Sequence, residues 1–309
     1  MAVYTELTEQ QIGDLLSAYK LGDLQSFRGA SDGIENTTYF LSLDSGAELV
    51  LTLFESLSKD ALLFYIELTS ALHNKGLPVP CPLRDKLDCA LQTLAAKPVL
   101  IFPRVAGEHL RQPGIEEVRK MAVVLGKIHQ HSLSLSLQYP NPQGLEWMQR
   151  TWAIVSSSLS EQENQMLAEQ LRLKEKHLAL DLPRAVIHGD LFRDNVLFFD
   201  GEISGVIDFY SAGTDSLLLD MAIAVNDWCT DAQGLVNAEK RSAFIHAYES
   251  QRRLSAEEHE YWQQAQQLAA TCFWLSRQHQ QVQVWQGAEQ VLKDPEPCKR
   301  LLLQHLDRL

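Results

Sequence analysis

The segment that most constrains this chain is VIHGDLFRDNVLFFDGEISGVID, which runs from Val186 to Asp208. It contains two short apolar runs separated by Asp-Gly, a pattern typical of a β-hairpin with a two-residue turn. His188 and Asp190 stand just before the first run. The segment therefore predicts a hairpin with polar side chains gathered at its open end.

A turn at Asp200-Gly201 sets the pairing of the predicted hairpin. Asn195 then lies opposite Val206, and Asp208 is the diagonal neighbour of Asn195. Because strand side chains alternate between two faces, Asn195 and Asp208 share a face. Diagonal neighbours lie roughly 7 Å apart, so the two side chains would flank Mg²⁺ ions that bind oxygen at about 2.1 Å. A hairpin that merely ends in polar residues is the weaker alternative, given His188 and Asp190 upstream.

The spacing within this segment is also informative. Asp190 and Asn195 are five positions apart, the offset between the catalytic aspartate and the metal-binding asparagine of kinase-type phosphotransfer enzymes. The phrases HGDLFRDN and IDFY resemble the aminoglycoside phosphotransferase and choline kinase superfamily, relatives of the protein kinases. The phrases GIENTTYF, VLTLFE, NDWC and FWLSR are similar to bacterial homoserine kinases of that superfamily. The likeness extends over most of the chain.

The resemblance implies an α+β, protein-kinase-like fold with two lobes. Residues 1–103 would form an antiparallel β-rich lobe that covers the nucleotide, and residues 104–309 a larger helical lobe for catalysis and acceptor binding. Local patterns agree, and capping boxes begin helices at Thr8 and Ser160. The patterns predict strands at 24–29, 37–43, 49–54, 87–93 and 97–102, and helices at 59–75, 115–131, 161 to about 180 and about 238–306.

Composition excludes some classes of partner. The net charge is −13, which argues against a nucleic-acid surface or a basic membrane-binding face. A nucleotide would therefore have to be neutralised locally, by metal and backbone N–H groups. Five scattered cysteines without CxxC spacing indicate reduced thiols and a cytoplasmic location. We see no leader and no apolar run long enough for a membrane span, and the oligomeric state is not indicated.

The loop after the first predicted strand is the candidate phosphate-covering loop, by resemblance. Its glycines would let backbone N–H groups approach phosphate oxygens, although a GxxxG between strands is by itself more often an ordinary loop. Adenine would bind to backbone groups at the hinge over residues 103–107. The candidate nucleotide-binding residues are Gly29, Ser31, Gly33, Asn36, Thr37 and Phe102.

The third predicted strand departs from the kinase pattern. Thr52 stands where a lysine is expected, and that lysine normally neutralises phosphate charge and pairs with a helix glutamate. Threonine cannot do either. Glu67 would occupy the position of the glutamate partner, with an ordinary solvated residue as the alternative, and Arg28 is a candidate substitute cation.

The resemblance also assigns roles around the hairpin. Asp190 would orient the acceptor hydroxyl and accept its proton, while Asn195 and Asp208 hold Mg²⁺ and ATP donates its γ-phosphoryl group. His188 and Asp220 would be structural, orienting and bracing the catalytic loop. His129, near a predicted helix end, is interpreted as a packing residue rather than a ligand.

The acceptor implied by the resemblance is L-homoserine, whose phosphorylation belongs to threonine biosynthesis. Its zwitterionic end requires an acid and a base. Asp227 is the candidate partner of the ammonium group, and Arg193 or Arg277 of the carboxylate, with Tyr210 and Trp228 also on the acceptor side. A buried structural ion pair is the alternative role for these charged residues.

Two other functions stay open. The same chemistry would serve choline, ethanolamine, an aminoglycoside or a sugar, and Trp228 with Trp274 would suit an aromatic cage for choline. The missing strand lysine suggests a catalytically silent binding module instead. The joint presence of Asp190, Asn195 and Asp208 argues against a silent module.

Overall fold

The computed structural model describes residues 4–30, 36–231, 233–282 and 292–307. They divide into two units, the first ending at Ala106 and the second beginning at Gly107. The first unit is built mainly on strands and the second mainly on helices, so the predicted α+β class is confirmed. Every helix within the described ranges is too short or too polar to cross a membrane. All five cysteines are free thiols.

The first unit contains an antiparallel sheet. Its elements are α1 (Glu9–Leu16), β1 (Leu24–Gly29), β2 (Asn36–Leu43), β3 (Glu48–Phe54), α2 (Lys59–Asn74), β4 (Gln92–Leu94) and β5 (Lys97–Pro103). The strand order is β1-β2-β3-β5-β4. Every second residue of β2 is buried, and that face, with Tyr39 and Leu41, packs against Ile12 and Leu16 of α1. The predicted capping box at Thr8 is present.

The predicted strand over 87–93 is wrong for most of its length, because only Gln92–Leu94 forms a strand. The Asp85 carboxylate accepts hydrogen bonds from the N–H groups of Leu87 and Cys89, each at 2.8 Å. Asp88 between them has a positive φ of 64°. A side chain that captures nearby N–H groups competes with strand pairing and forms a turn instead.

The second unit carries the remaining elements. They are α3 (Ile115–Ser132), α4 (Leu145–Val155), α5 (Glu161–Leu178), β6 (Arg184–Ile187), β7 (Val196–Phe199), β8 (Glu202–Val206), β9 (Gly213–Ser216), α6 (Leu217–Trp228), α7 (Ala238–Glu249), α8 (Ala256–Glu260), α9 (Trp262–Val282) and α10 (Glu296–Leu306). The Ser160 capping box begins α5 as predicted. Among the described residues, the region predicted as helical from 238 contains four helices. Helices α4 and α6 and strands β6 and β9 have no counterpart in the predictions.

Helix α6 is the central helix of the second unit. All of its residues except Asp227 are buried, so it lacks the exposed polar face of a surface helix. Leu218 and Ala222 of α6 join Leu268 and Trp274 of α9 in the main core. A polar side chain on such a helix requires partners inside the protein, and Asp220 on α6 finds them at the catalytic loop.

Candidate active site

The hairpin of β7 and β8 turns at Asp200 and Gly201, where φ is 50° and 76°, as expected for an Asp-Gly turn. A β-bulge interrupts the pairing, so Val196 rather than Asn195 lies opposite Val206. The predicted register is therefore wrong by one residue toward the open end, because a bulge inserts an extra residue into one strand.

The backbone at Asp208 is left-handed, with φ 63° and ψ 56°. The carbonyl of Asn195 still accepts a hydrogen bond from the Ile207 N–H at 2.9 Å, so strand pairing stops just before Asp208. A turn and not the strand alternation therefore sets the direction of the Asp208 side chain, which is exposed. Left-handed aspartates carry less strain than most residues because their side chains form local hydrogen bonds.

Asp190 lies against Asn195 in the loop that follows β6. The Asn195 Nδ2 group donates to the Asp190 carbonyl oxygen at 2.7 Å and to its carboxylate at 3.1 Å. Burial, followed by the nearby carboxylates of Asp208 and Asp194, raises the pKa of Asp190 well above its usual value. A side chain with so displaced a pKa is characteristic of a functional site and suits proton transfer.

The donor set here fits a Mg²⁺ ion. Asp208 and Asn195 offer oxygen ligands, which Mg²⁺ prefers, and the repulsion between the Asp190 and Asp208 carboxylates is an imbalance that a divalent cation relieves. Among the residues with described positions, no group of three or more His, Cys, Asp or Glu side chains is arranged to hold a metal. A Mg²⁺ site completed by substrate phosphates needs only one or two carboxylates from the protein.

Asp220 holds the backbone of the catalytic loop. It accepts hydrogen bonds from the N–H groups of His188 and Gly189, each at 2.9 Å. Gly189 has a φ of 78°, and a Cβ there would lie 2.5 Å from the Ser211 carbonyl oxygen. These contacts are the ones that a bracing role for Asp220 requires, and they demand glycine at 189.

His188 is fully buried beneath the loop. Its Nε2 atom lies 3.0 Å from the Ile207 carbonyl oxygen, and its ring centre lies 4.4 Å from that of Phe209. Burial lowers the pKa of His188, so the ring is neutral. His188 thereby links the loop before Asp190 to the residue before Asp208, a structural arrangement.

A buried hydrogen-bond chain, invisible in the sequence, continues from Asp220. His129 Nε2 lies 3.0 Å from the Asp220 carboxylate and Nδ1 lies 2.7 Å from the Tyr248 hydroxyl. Because a carboxylate only accepts, Nε2 carries the proton and Tyr248 donates to Nδ1. Arg252 then donates to the Tyr248 oxygen at 2.6 Å and pairs with Glu258. His129 is thus a bridge as well as a packing residue.

Arg193 and Asp227, both proposed for the acceptor, are partners of each other. Arg193 Nε and Nη2 donate to the two Asp227 oxygens at 3.0 and 3.1 Å, and the Arg193 N–H donates at 2.8 Å. Arg193 Nη1 also donates to the Arg111 carbonyl. The assignment of Asp227 to an ammonium group and Arg193 to a carboxylate is therefore replaced by a bidentate ion pair that satisfies both side chains.

The aromatic candidates are largely withdrawn from the surface. Trp228 has no exposed area, since α6 is enclosed on all sides, and its Nε1 donates to the Leu191 carbonyl at 3.1 Å. The predicted acceptor contact of Trp228 is wrong. Trp274 is equally buried, so the two rings do not form a choline cage. Tyr210 is half-buried in the turn that follows Asp208.

Lys293 was not predicted from the sequence, yet it lies at the catalytic loop. Its Nζ atom is 2.7 Å from the Asp194 carboxylate and 6.0 Å from the centre of the Phe192 ring. Arg277 Nη1 donates at 3.0 Å to the carbonyl of Asp294, the residue after Lys293. Arg277 thus lies beside the backbone that carries Lys293. Nothing in the local sequence around Lys293 signals the contact, because its partner is 99 positions away.

In the first unit, Thr37 serves packing and not phosphate binding. Its hydroxyl donates to Glu55 at 2.7 Å and accepts from the N–H groups of Tyr4 and Thr5 at 2.9 and 3.1 Å. Lys97 completes the cluster by pairing with Glu55. The predicted phosphate contact of Thr37 is wrong because strand alternation places it on the face that packs against α1.

The other nucleotide candidates are only partly described. Ser31 and Gly33 lie outside the described residues, Gly29 and Asn36 end β1 and begin β2, and Phe102 is half-buried on β5.

Arg28 and Thr52 lie on the sheet face opposite α1. Arg28 on β1 pairs with Phe40 of β2, and Thr52 on β3 pairs with Thr38 of β2. Phe40 and Thr38 are two positions apart. Paired residues and residues two apart share a face, so Arg28 is a cation on the face of Thr52. The Arg28 guanidinium lies 4.6 Å from the Phe40 ring centre. Glu67 is exposed, as an ordinary solvated helix residue would be.

Sequence comparisons identify relatives along almost the whole chain. The model of the phosphotransferase enzyme family (APH) matches residues 26–259. The homoserine kinase of Pseudomonas aeruginosa (strain UCBPP-PA14) is 39% identical over 309 residues, covering 98% of this chain and 96% of that protein. The homoserine kinase of Neisseria meningitidis serogroup B is 35% identical over 303 residues, covering 98% and 99%.

Solved structures agree on the fold. Amicoumacin kinase hAmiN, in complex with AMP-PNP, Ca²⁺ and Ami, has a TM-score of 0.75 at 14% identity and covers 98% of this chain and 94% of that chain. The microcompartment-associated aminopropanol kinase has a TM-score of 0.67 at 18% identity, covering 97% and 94%. At such identities the likeness shows the fold alone, and it confirms the predicted kinase-like fold.

Proposed function

The chain belongs to the phosphotransferase enzyme family, and from this premise we propose that it transfers the γ-phosphoryl group of ATP to the side-chain hydroxyl of L-homoserine. The observation that carries the acceptor is the extent of its similarity to homoserine kinases, which includes both units. Choline as acceptor is supported less well because Trp228 and Trp274 are buried. A catalytically silent module is supported less well because Asp190, Asn195 and Asp208 lie near one another.

Asp190 is the proposed catalytic residue. It would orient the acceptor hydroxyl and take its proton as the acceptor oxygen attacks the γ-phosphorus and the bond to the bridging oxygen of ADP breaks. Burial and the neighbouring carboxylates raise the pKa of Asp190, and a bound divalent cation would offset part of that rise. Asn195, through its amide, would keep the Asp190 carboxylate directed toward the acceptor.

Asn195 and Asp208 are the proposed Mg²⁺ ligands. When bound, the ion would neutralise charge on the phosphates of ATP. Gly29 and Asn36 are the proposed phosphate contacts at the ends of β1 and β2, together with Ser31 and Gly33, and Phe102 is proposed near the adenine. We retain residues 1–103 as the proposed nucleotide-covering part and a cytoplasmic location as a prediction.

An acceptor panel tests the proposal. ADP release is measured with L-homoserine, choline, ethanolamine, kanamycin and a simple sugar under identical Mg-ATP conditions, and the phosphorylated product is identified by mass spectrometry. Homoserine should give the highest kcat/KM. A faster reaction with choline or kanamycin would overturn the acceptor while leaving phosphoryl transfer intact, and no release above the blank with any acceptor would contradict the enzymatic function.

A further inference from the structure

Two ion pairs lie beside the catalytic loop, and they differ in how easily they open. Arg193 and Asp227 are joined by a bidentate contact, with side chains 28% and 16% exposed. Lys293 and Asp194 share a single contact, with side chains 42% and 53% exposed. An exposed pair with one contact contributes little to stability, whereas opening a desolvated bidentate pair leaves two charges without partners. The Lys293–Asp194 pair is therefore the one that a ligand is able to replace.

The exposed pair is also next to the reacting group. Asp194 is four positions after Asp190 and directly precedes Asn195. Lys293 Nζ lies 2.7 Å from the Asp194 carboxylate. Lys293 is thereby a cation beside the loop that carries Asp190.

Aromatic packing fixes the position of this pair. The Lys293 ammonium lies over the Phe192 ring, and the centre of that ring is 4.3 Å from the centre of the Phe273 ring on α9. Because Phe192 and Asp194 lie on the same short turn, one element carries both the carboxylate and the ring that the Lys293 ammonium contacts. A recognition site needs such pre-organised groups.

A zwitterion is the class of ligand that opens this pair without leaving a charge unpaired. Its carboxylate takes the place of Asp194 beside Lys293, and its ammonium takes the place of Lys293 beside Asp194. A ligand with only one of the two charges leaves either Lys293 or Asp194 unmatched, and the unmatched contact lowers its affinity.

We propose that Lys293 and Asp194 determine acceptor specificity, with Lys293 binding the α-carboxylate and Asp194 the α-ammonium group while the hydroxyl lies at Asp190. The assignment rests on the proposed function and names the specificity residues of the same site. It replaces Arg193 and Asp227, which are committed to each other.

The test matches each variant to an acceptor analogue that lacks the corresponding charge. Wild type, Lys293→Ala and Asp194→Asn are compared with L-homoserine, 3-amino-1-propanol, which has no carboxylate, and 4-hydroxybutyrate, which has no ammonium group. Kinetic constants are measured at saturating Mg-ATP, and the inhibition constant against homoserine is used for an analogue that turns over slowly. Lys120→Ala removes half of another exposed ion pair, with Glu202, and is the matched control.

Lys293→Ala should lower kcat/KM for homoserine at least about 10-fold, mainly through KM, because a contact made in both ground and transition states is lost. Its constants for 3-amino-1-propanol should stay within about 2-fold of wild type, since that analogue never contacts the lysine. Asp194→Asn should likewise lower kcat/KM for homoserine. Its constants for 4-hydroxybutyrate should stay close to wild type, because that analogue has no ammonium group to contact Asp194. Lys120→Ala should have the kinetic constants of the wild type for homoserine. The KM for Mg-ATP should be unchanged in all variants.

Each outcome separates this assignment from the proposed function. Equal losses for homoserine and the matching analogue, or wild-type constants for homoserine in both variants, would overturn the recognition roles although homoserine phosphorylation stands. If the wild-type protein does not phosphorylate homoserine, the proposed function fails before any variant is compared.

Discussion

The polar residues of the two units are held in opposite ways. At the catalytic loop, Asp190, Asn195 and Asp208 lie on turns, and a buried carboxylate, Asp220, fixes the backbone just before Asp190. In the sheet unit, the polar cluster around Thr37 lies at or beside the strands, and it makes its hydrogen bonds inside the protein. A turn residue is free to reach a ligand, whereas strand alternation commits a side chain to one face.

Electrostatics follows the same division. In the sheet unit, burial opposes ionisation of Glu55, but hydrogen bonds from Lys97, Thr37 and Thr5 lower its pKa, so the cluster is internally neutralised. At the catalytic loop, Asp190 has a raised pKa because it is buried near other carboxylates. An unbalanced cluster is available for chemistry, and a balanced one stabilises the fold.

The sharpest test of this contrast is Asp190→Asn. The amide cannot accept a proton, so kcat should fall by roughly 10² to 10⁴-fold while the KM for ATP changes little. Steady-state kinetics of ADP release provide the measurement, and Asp181→Asn, an exposed aspartate elsewhere in the same unit, is the control. Turnover close to wild type would remove Asp190 from the mechanism.

Asp220→Ala tests whether the loop depends on its buried support. The change leaves His129 and the N–H groups of His188 and Gly189 without an acceptor, and breaking a buried charged contact costs about 3–5 kcal/mol. Denaturant unfolding should report that loss, with a parallel fall in kcat. Asp220→Asn should be less damaging to the backbone contacts. Unchanged stability in the alanine variant would show that the loop is held by other groups.

Asp208→Asn tests the metal side of the catalytic cluster. Removing the charge while keeping a residue that tolerates left-handed backbone should lower activity on the order of 10²-fold and raise the Mg²⁺ concentration needed for half-maximal rate. Asp200→Asn, at a left-handed position with φ 50° at the other end of the hairpin, is the backbone control. Equal behaviour of the two variants would contradict the ligand role of Asp208.

Thr37→Val tests whether the Thr37 hydroxyl stabilises the fold through its hydrogen bonds rather than binding ATP. Loss of the hydroxyl leaves the N–H groups of Tyr4 and Thr5 without that acceptor, at a cost of about 1–3 kcal/mol in the free energy of unfolding. The KM for ATP should not change. Thr93→Val, at an exposed position on β4, is the isosteric control. A rise in the KM for ATP without loss of stability would instead support a phosphate contact for the Thr37 hydroxyl.

The smallest expected effect belongs to Arg28→Ala. An exposed cation on the Thr52 face contributes up to about 1 kcal/mol, so the KM for ATP should rise roughly 3-fold. Arg84→Ala, another partly exposed arginine of the sheet unit, should leave that KM unchanged. Identical KM values for both variants would exclude Arg28 as a replacement for the strand lysine.

Local patterns predicted the elements well where the signal lies within a few residues. The capping boxes at Thr8 and Ser160 begin helices, and the Asp-Gly turn forms the hairpin. The β-bulge falls at Ser204 of β8, beside Gly205. A glycine inside a strand often marks a bulge, but the predicted register was set from the turn alone. The predicted strand over 87–93 failed because the Asp85 side chain redirects the backbone.

The sequence by itself determined the family, most of the helical and strand segments, and the proximity of Asp190 to Asn195, because these depend on short-range spacing. Only the tertiary structure decided the partners. Arg193 with Asp227, His129 with Asp220, and Lys293 with Asp194 are 34, 91 and 99 positions apart. Ion pairs form wherever folding brings opposite charges together, and no local pattern specifies which distant charge will arrive.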